Sequence, residues 1–153
     1  MIEQVLIVLV IAALPISELR GAIPVAMGVY GFDPVTAYLV GVMGNLLPVP
    51  ILLKILEPVT ALLRRSVIVD RVVSWVFART RARHRAMIER FGAVALVLFV
   101  AVPVPATGAW TGVLIAHVFG IPFRYAFPLI ALGVSIAGVV VTLATLGVIQ
   151  LFL

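Results

Sequence analysis

The sequence feature that most constrains the fold is a pair of opposite charges within an apolar N-terminal segment. Glu18 and Arg20 lie between Pro15 and Pro24, and the residues on either side are almost all apolar. A charge at the centre of a bilayer costs at least about 2.5–3.5 kcal/mol, so ionisable groups at that depth are candidates for function. Because both prolines disfavour a continuous helix, the segment predicts a broken helix that carries a polar site.

Composition places this break in a membrane. The chain has 153 residues, of which 64% are hydrophobic, and its mean hydropathy is +1.30. Soluble domains are closer to half apolar, so we expect one integral membrane domain over residues 1–153. The chain has no cysteine, which excludes disulfides and thiolate metal sites. The N-terminus lacks the basic region and cleavage site of a signal peptide, so we expect the first segment to be retained.

The net charge of +5 comes from one segment. Between Glu57 and Phe91 there are eight arginines and three acidic residues, and the charges elsewhere cancel. Apolar residues at helical spacing lie between these arginines, as in an amphipathic helix on a membrane surface. The excess of arginine predicts that this segment is cytoplasmic. A basic run could also bind nucleic acid, but the hydrophobicity of the chain argues against that partner.

The first apolar stretch, residues 2–16, would span only about 22 Å as a helix, which is less than the ~30 Å of a hydrocarbon core. A re-entrant helical hairpin over residues 1–33 is therefore favoured, and a single broken spanning helix over 1–31 stays open. We predict an all-α membrane protein of two inverted repeats, each a re-entrant hairpin followed by a transmembrane helix. The remaining segments are a transmembrane helix at 34–57, the basic segment at 58–90, a second hairpin at 91–121 and a transmembrane helix at 122–153.

Two further proline clusters interrupt the apolar segments. Pro48 and Pro50 predict a kink in the first transmembrane helix, next to the polar side chain of Asn45. Pro103 and Pro105 open the second break, which continues to Gly112.

The two breaks resemble each other in order and spacing. Pro15 to Gly31 matches Pro105 to Gly120 at an offset of about ninety residues, and each stretch ends in an aromatic residue and glycine. Broken segments at corresponding places in two halves point to the transport site of inverted-repeat transporters. The sequence therefore predicts a mid-membrane site between the breaks.

The residues of this site suggest an ion-coupled mechanism. Helix N-termini near Pro24 and Thr111 would favour an anion, and Arg20 would pair with a phosphate or carboxylate. Loss of hydration favours the protonated form of a carboxyl group, so Glu18 is the candidate proton carrier. Neutral hydrogen bonds and an aromatic face complete the predicted site, from Ser17, Asn45, Thr107, Thr111 and Trp110. The sequence has no nucleophile triad, metal-ligand cluster or nucleotide loop, so we expect no enzymatic activity, metal or cofactor.

Three motifs, 18–24, 44–50 and 103–112, resemble the small multidrug export protein family of prokaryotes. That family is distantly similar to the DedA and VTT-domain membrane proteins, which have two re-entrant hairpins. The resemblance implies movement of lipids such as polyprenyl phosphates with proton coupling, and it matches Glu18 and Arg20 to the charged residues of the first hairpin. DedA proteins carry arginines in the second hairpin, where this chain has threonines and a tryptophan, so a clamp of several arginines is not expected.

These observations lead to one main hypothesis and one alternative. The main hypothesis is a proton-coupled secondary transporter in the prokaryotic inner membrane, a homodimer surrounded by membrane lipids. Its substrate would be amphiphilic, either a drug-like compound or a lipid phosphate. The alternative is a membrane scaffold that transports nothing, in which Glu18 and Arg20 form an internal ion pair.

Overall fold

The computed structural model describes residues 1–103 and 107–152, and Pro105, predicted to shape the second break, lies outside them. The described residues form helices and no strand, which confirms the all-α prediction. The helices are α1 Ile2–Ala13, α2 Glu18–Gly28, α3 Pro34–Leu46, α4 Pro48–Leu63, α5 Val67–Phe91, α6 Ala95–Ala101, α7 Ala109–Val118 and α8 Phe123–Phe152, with a 3-10 turn at Gly92–Val94.

Two helical runs are long and apolar enough to cross a membrane, Pro34–Leu63 and Phe123–Leu151. Thirty residues of helix measure about 45 Å, more than the hydrocarbon core requires. Large apolar side chains are exposed on the outer surface, such as Leu132 at 52% and Leu143 at 63%. An apolar surface of this kind suits lipid contact rather than water. The structure therefore supports a membrane protein.

The first long run consists of α3 and α4, which separate at Leu47. The φ and ψ angles of Leu47 remain helical, and Pro48 begins α4. Pro48 and Pro50 lie in the first turn of α4, and their missing N–H groups remove the hydrogen bonds that would otherwise join α4 to the Gly44 and Leu46 carbonyls of α3. The interruption falls where these prolines were predicted to disturb the helix, although α4 continues past residue 57 to Leu63.

α1 and α2 form the first pair of short helices. They pack against each other and are joined by the four residues Leu14–Ser17, so they run in opposite directions. The second helix begins at Glu18, and the prediction of a helix N-terminus near Pro24 was wrong. Pro24 lies inside α2, where a proline removes one hydrogen bond and its ring crowds the carbonyl four residues earlier.

α6 and α7 form the second pair of short helices, and both pack on α8. α6 approaches α8 at Gly133, where an added Cβ would lie 2.7 Å from the Val100 side chain. α7 approaches α8 where Gly112 faces Ile130. Small residues of this kind let helices pack closely in membranes.

Several positions 89 residues apart have matching environments. Gly31 and Gly120 both have positive φ, 65° and 68°, just before α3 and α8 begin. Gly44 of α3 is covered by α1, with the Leu9 carbonyl oxygen 2.8 Å from an added Cβ. Gly133 of α8 is covered by α6 in the same way, with a carbonyl oxygen of that helix at 3.0 Å.

One contact between a large and a small residue repeats at this offset, with the large residue on the opposite helix of the pair. Ile23 of α2 packs on Gly41 of α3, and Gly112 of α7 packs on Ile130 of α8. Positions 23 and 112 are 89 apart, as are positions 41 and 130. Each half therefore brings its second short helix onto its long helix through one large and one small residue, although the large residue is on opposite partners.

The two long runs pack in antiparallel orientation. The Lys54 ammonium lies 5.2 Å from the centre of the Phe123 ring, at the start of α8. At the other end, Pro34 lines a shallow groove together with Leu143. These two contacts are also related by the offset, because 54 corresponds to 143 and 34 to 123.

α5 lies on the outside of the second helix pair and has no buried residue. The Arg81 guanidinium donates a hydrogen bond of 3.0 Å to the Val118 carbonyl at the end of α7. The rings of Phe77 and His117 meet edge to face at 5.4 Å. These contacts attach the basic segment to α7 and leave most of its arginines exposed.

We expect Gly44→Ala to destabilise the protein, because its Cβ would meet backbone atoms of α1 that cannot move independently. Overpacking of this kind costs about 1–3 kcal/mol. The matched control is Gly147→Ala in α8, where an added Cβ meets nothing within 4 Å. Thermal denaturation in detergent, followed by the monodisperse fraction, should show a lower melting temperature for Gly44→Ala alone. Equal melting temperatures would contradict the close approach of α1 to α3.

Candidate functional site

The two breaks meet at a cluster of residues that we call the junction: Glu18, Arg20, Thr107, Gly108 and Trp110. The first two belong to α2, and the other three lead into α7 or lie in its first turn. Three contacts across the junction are described below, and each joins residues at least 87 positions apart. The structure therefore brings together four of the predicted site residues and one glycine.

Glu18 is the buried acid of the junction, with 5% of its surface exposed. It has a positive φ of 47°, which is uncommon for a residue other than glycine. Its carboxylate accepts a long hydrogen bond of 3.5 Å from the Trp110 backbone N–H in the first turn of α7. The N-terminus of a helix carries partial positive charge, so α7 provides a favourable end for this carboxylate.

Gly108 makes room for the Glu18 carboxylate. Its φ of 135° is a conformation that side chains rarely adopt, and it immediately precedes α7. A Cβ at this position would overlap the carboxylate atoms of Glu18. Both the backbone angle and the space therefore require glycine. Sequence reasoning did not identify Gly108, although a glycine just before a helix in the predicted break was an available signal.

Arg20 makes a second connection across the junction. Its Nη2 donates to the Thr107 carbonyl at 2.7 Å and to the Thr107 hydroxyl at 2.9 Å. The Thr107 hydroxyl in turn donates to the Val102 carbonyl at 2.7 Å. Arg20 is thereby linked to both ends of the second break, since Val102 follows α6 and Thr107 precedes α7.

Trp110 makes the third connection. Its indole Nε1 donates a hydrogen bond of 3.1 Å to the Ala13 carbonyl at the end of α1. The last carbonyls of a helix have no intrahelical partner, so the indole satisfies one of them from the opposite half. Trp110 was predicted as an aromatic face for a substrate, and its N–H group also takes part in holding the two breaks together.

Other predicted residues lie outside the junction. The Ser17 hydroxyl donates to the Ile11 carbonyl at 2.6 Å, within the first break itself. Asn45 is buried at 1% exposure, and its Oδ1 has no hydrogen-bond partner among the described residues. Thr111 and Pro15 line a groove beside α4, and Pro103 lines a second groove beside α8.

The electrostatics of α7 are complemented at both ends. Glu18 lies at its N-terminus, and Arg81 of α5 donates to the Val118 carbonyl at its C-terminus. An anion and a cation in these positions each favour the helix dipole. In the part of the chain that the structure describes, no three His, Asp or Glu side chains come together as a metal site would require.

The sequence match to a known family covers the same elements. The family model described as "Putative small multi-drug export protein" matches residues 18–140, which run from Glu18 through both breaks into α8. No curated protein and no solved structure matches the chain.

We expect Gly108→Ala to be strongly destabilising in the wild-type background and less so in a Glu18→Ala background. Glu18→Ala removes the carboxylate that an added Cβ at position 108 would overlap, so only backbone strain remains in the double variant. The free energy lost in the double variant should therefore be smaller than the sum of the two single losses by at least about 1 kcal/mol. The control is Gly120→Ala, where φ is 68° and an added Cβ meets nothing within 4 Å. The measurement is the melting temperature of the wild type, the two single variants, the double variant and the control Gly120→Ala. Additive effects of Gly108→Ala and Glu18→Ala would contradict the contact.

Proposed function

Because the chain belongs to the small multidrug export protein family, we propose that it is a proton-coupled secondary transporter that moves an amphiphilic substrate across the membrane. The substrate is a drug-like compound or a lipid phosphate, such as a polyprenyl phosphate. The transporter works as a homodimer in the prokaryotic inner membrane. The observation that carries this proposal is the buried Glu18 carboxylate, placed where the two halves of the protein meet.

The proposed architecture is a pair of inverted repeats, in which each pair of short helices is a re-entrant hairpin. Contacts related by the 89-residue offset support it: Lys54 with Phe123, and Pro34 with Leu143. A two-fold axis that exchanges the two halves requires each such pair to have a counterpart with the two positions exchanged. Since the long helices are antiparallel, that axis would lie in the membrane plane, as in many secondary transporters.

The proposed mechanism uses the charges of the junction in opposite ways. Ionised Glu18 holds the N-terminus of α7 through the Trp110 N–H, and protonation would weaken that attraction. Arg20 holds the Thr107 carbonyl and hydroxyl, and an acidic headgroup would compete for the same guanidinium. Proton binding and substrate binding would therefore loosen the same contact between the halves, which couples one to the other.

The orientation in the membrane follows from the basic segment. The arginines of α5 are mostly exposed and lie beside the open end of the second hairpin. Positive charge near membrane spans favours the cytoplasmic side, and each arginine near an anionic surface contributes about 1 kcal/mol. We propose that α5 lies on the cytoplasmic leaflet and that the N-terminus is outside.

This topology predicts that a tag on the N-terminus is accessible in intact cells. A membrane-impermeant label should react with an N-terminal cysteine tag and fail to react with a cysteine at Ser74 of α5 until the cells are opened. The chain has no cysteine of its own, so each variant carries one reactive site. Protection of both sites in intact cells would place the N-terminus in the cytoplasm and would overturn the two-crossing arrangement.

The transport prediction concerns Glu18→Gln in proteoliposomes under an imposed pH gradient. We expect wild-type protein to drive flux of either a lipophilic cation or a long-chain alkyl phosphate, and Glu18→Gln to lose the gradient-dependent part. Gln cannot exchange a proton but fills nearly the same space. The matched control is Glu3→Gln, an exposed acid at the start of α1, which should transport as wild type does.

The alternative is a scaffold without transport, and one observation favours it: Glu18 and Arg20 each contact the second break and so hold the halves together. A scaffold predicts that Glu18→Gln lowers the melting temperature and that no flux exists to lose. A transporter predicts loss of flux in folded protein. Exchange of the two charges would not separate the hypotheses, because it would place a cation at the N-terminus of α7 in either case.

A further inference from the structure

Two apolar grooves end at the junction from different directions. The first, which we call the Arg20 groove, has a volume of about 550 Å³ and lies between α2, the second break and the C-terminal half of α8. Its walls include Arg20, Pro24, Pro103, Val141 and Thr145. The second, which we call the Trp110 groove, has a volume of about 390 Å³ and lies between α7, the first break and α4.

The two grooves are built from corresponding positions of the two halves. Leu52 and Leu56 of α4 line the Trp110 groove, and Val141 and Thr145 of α8 stand 89 residues later in the Arg20 groove. Val113 of α7 likewise corresponds to a proline of α2 at the same offset. A proline of the opposite break closes each groove. Two independent cavities would not share this pattern of lining positions, so each groove is the counterpart of the other.

The grooves open toward opposite ends of the bundle. Lys54 lies over Phe123, so the stretch of α4 that lines the Trp110 groove is level with the start of α8. Leu143 lies beside Pro34, so the stretch of α8 that lines the Arg20 groove is level with the start of α3. In a membrane crossed by both long helices, one groove would face each leaflet.

Charge distinguishes the grooves. Arg20 contributes a half-buried guanidinium to a groove whose walls are otherwise almost all apolar. The corresponding position in the other half is Ala109, and no charged side chain among the described residues lines the Trp110 groove. A cation beside an apolar wall complements a hydrocarbon chain that carries an acidic headgroup.

We propose that the two grooves are binding sites for the hydrocarbon chain of an acidic amphiphile, one for each leaflet. The headgroup is held by Arg20 and the chain lies in the Arg20 groove. In the opposite orientation the chain occupies the Trp110 groove, where the indole and Thr111 offer no fixed charge. This inference rests on the proposed transport function and narrows its substrate to amphiphiles with a phosphate or carboxylate, because Arg20 repels a cationic drug.

The test uses a hexadecyl phosphate with a photoreactive diazirine at mid-chain, added to the protein in lipid nanodiscs without any gradient. Mass spectrometry should map the labelled residues to the α8 stretch of the Arg20 groove and, more weakly, to the α4 stretch of the Trp110 groove. A matched probe with a phosphocholine headgroup should label the α8 stretch several-fold less. Excess inorganic phosphate should not protect it, since a free ion lacks the chain.

Three variants test the residues that carry the inference. Ala144→Trp places an indole in the Arg20 groove and should abolish labelling of α8 there. The matched control is Leu132→Trp, which adds the same indole to an exposed position on the opposite side of α8 and should leave labelling unchanged. Arg20→Gln should lower labelling roughly tenfold, as expected for loss of a charged hydrogen bond, while Arg20→Lys should restore part of it.

Several results would overturn the proposal. They are equal labelling by the two headgroups, equal labelling of the Leu132 side of α8 and the groove, or full protection by inorganic phosphate. Failure of the transport function would look different, because labelling needs neither a gradient nor the Glu18 proton. Loss of proton-driven flux with intact labelling would reject coupling and keep the grooves. Intact flux without groove labelling would reject the grooves and keep the transporter.

Discussion

The structure depends on the placement of one carboxylate at the end of one helix. Glu18 lies at the N-terminus of α7, a helix from the other half of the chain, and Gly108 leaves the space that the carboxylate occupies. A buried charge is tolerated only where fixed dipoles or opposite charges replace its hydration. The N-terminus of α7 supplies the dipole, and Arg20 supplies a cation two residues away in sequence. Because this charge joins α2 to the first turn of α7, a change in its protonation acts on the contact between the two breaks.

Close packing of the short helices makes this contact possible. Gly44 and Gly133 allow α1 and α6 to approach the long helices until backbone atoms are within about 3 Å of where a Cβ would stand. The breaks are then held side by side, so that Trp110 reaches the Ala13 carbonyl and Arg20 reaches Thr107. α5 adds a further restraint on the second helix pair, because Arg81 binds the C-terminal end of α7. α7 is therefore held at both ends, by Glu18 at its N-terminus and by Arg81 at its C-terminus.

Features set by local composition could be predicted from the sequence, and contacts between distant residues could not. The apolar spans, the two breaks and the candidate charges could be predicted, because hydrophobic length and proline position act locally along the chain. The start of α2 was misplaced at Pro24, since the buried α2 tolerates a proline in its second turn despite the lost hydrogen bond and the crowded carbonyl. A glycine just before a helix was a local signal for Gly108, but the space that it leaves for Glu18 depends on a residue ninety positions away and could not be predicted. Asn45 was included as a site residue, and the structure buries it without linking it to the junction.

The amino-acid sequence is enough to place this protein in a membrane, to identify two long apolar helices and to put an acid and a base in the first break. These properties depend on the residue types present and on their local order. Only the tertiary structure decided which groups those charges contact. Glu18 accepts a hydrogen bond from the backbone N–H of Trp110, 92 positions later in the sequence, and Arg20 donates to Thr107, 87 positions later. Partners so distant in sequence are chosen by how the helices pack, and that packing depends on small and large residues facing each other across the fold.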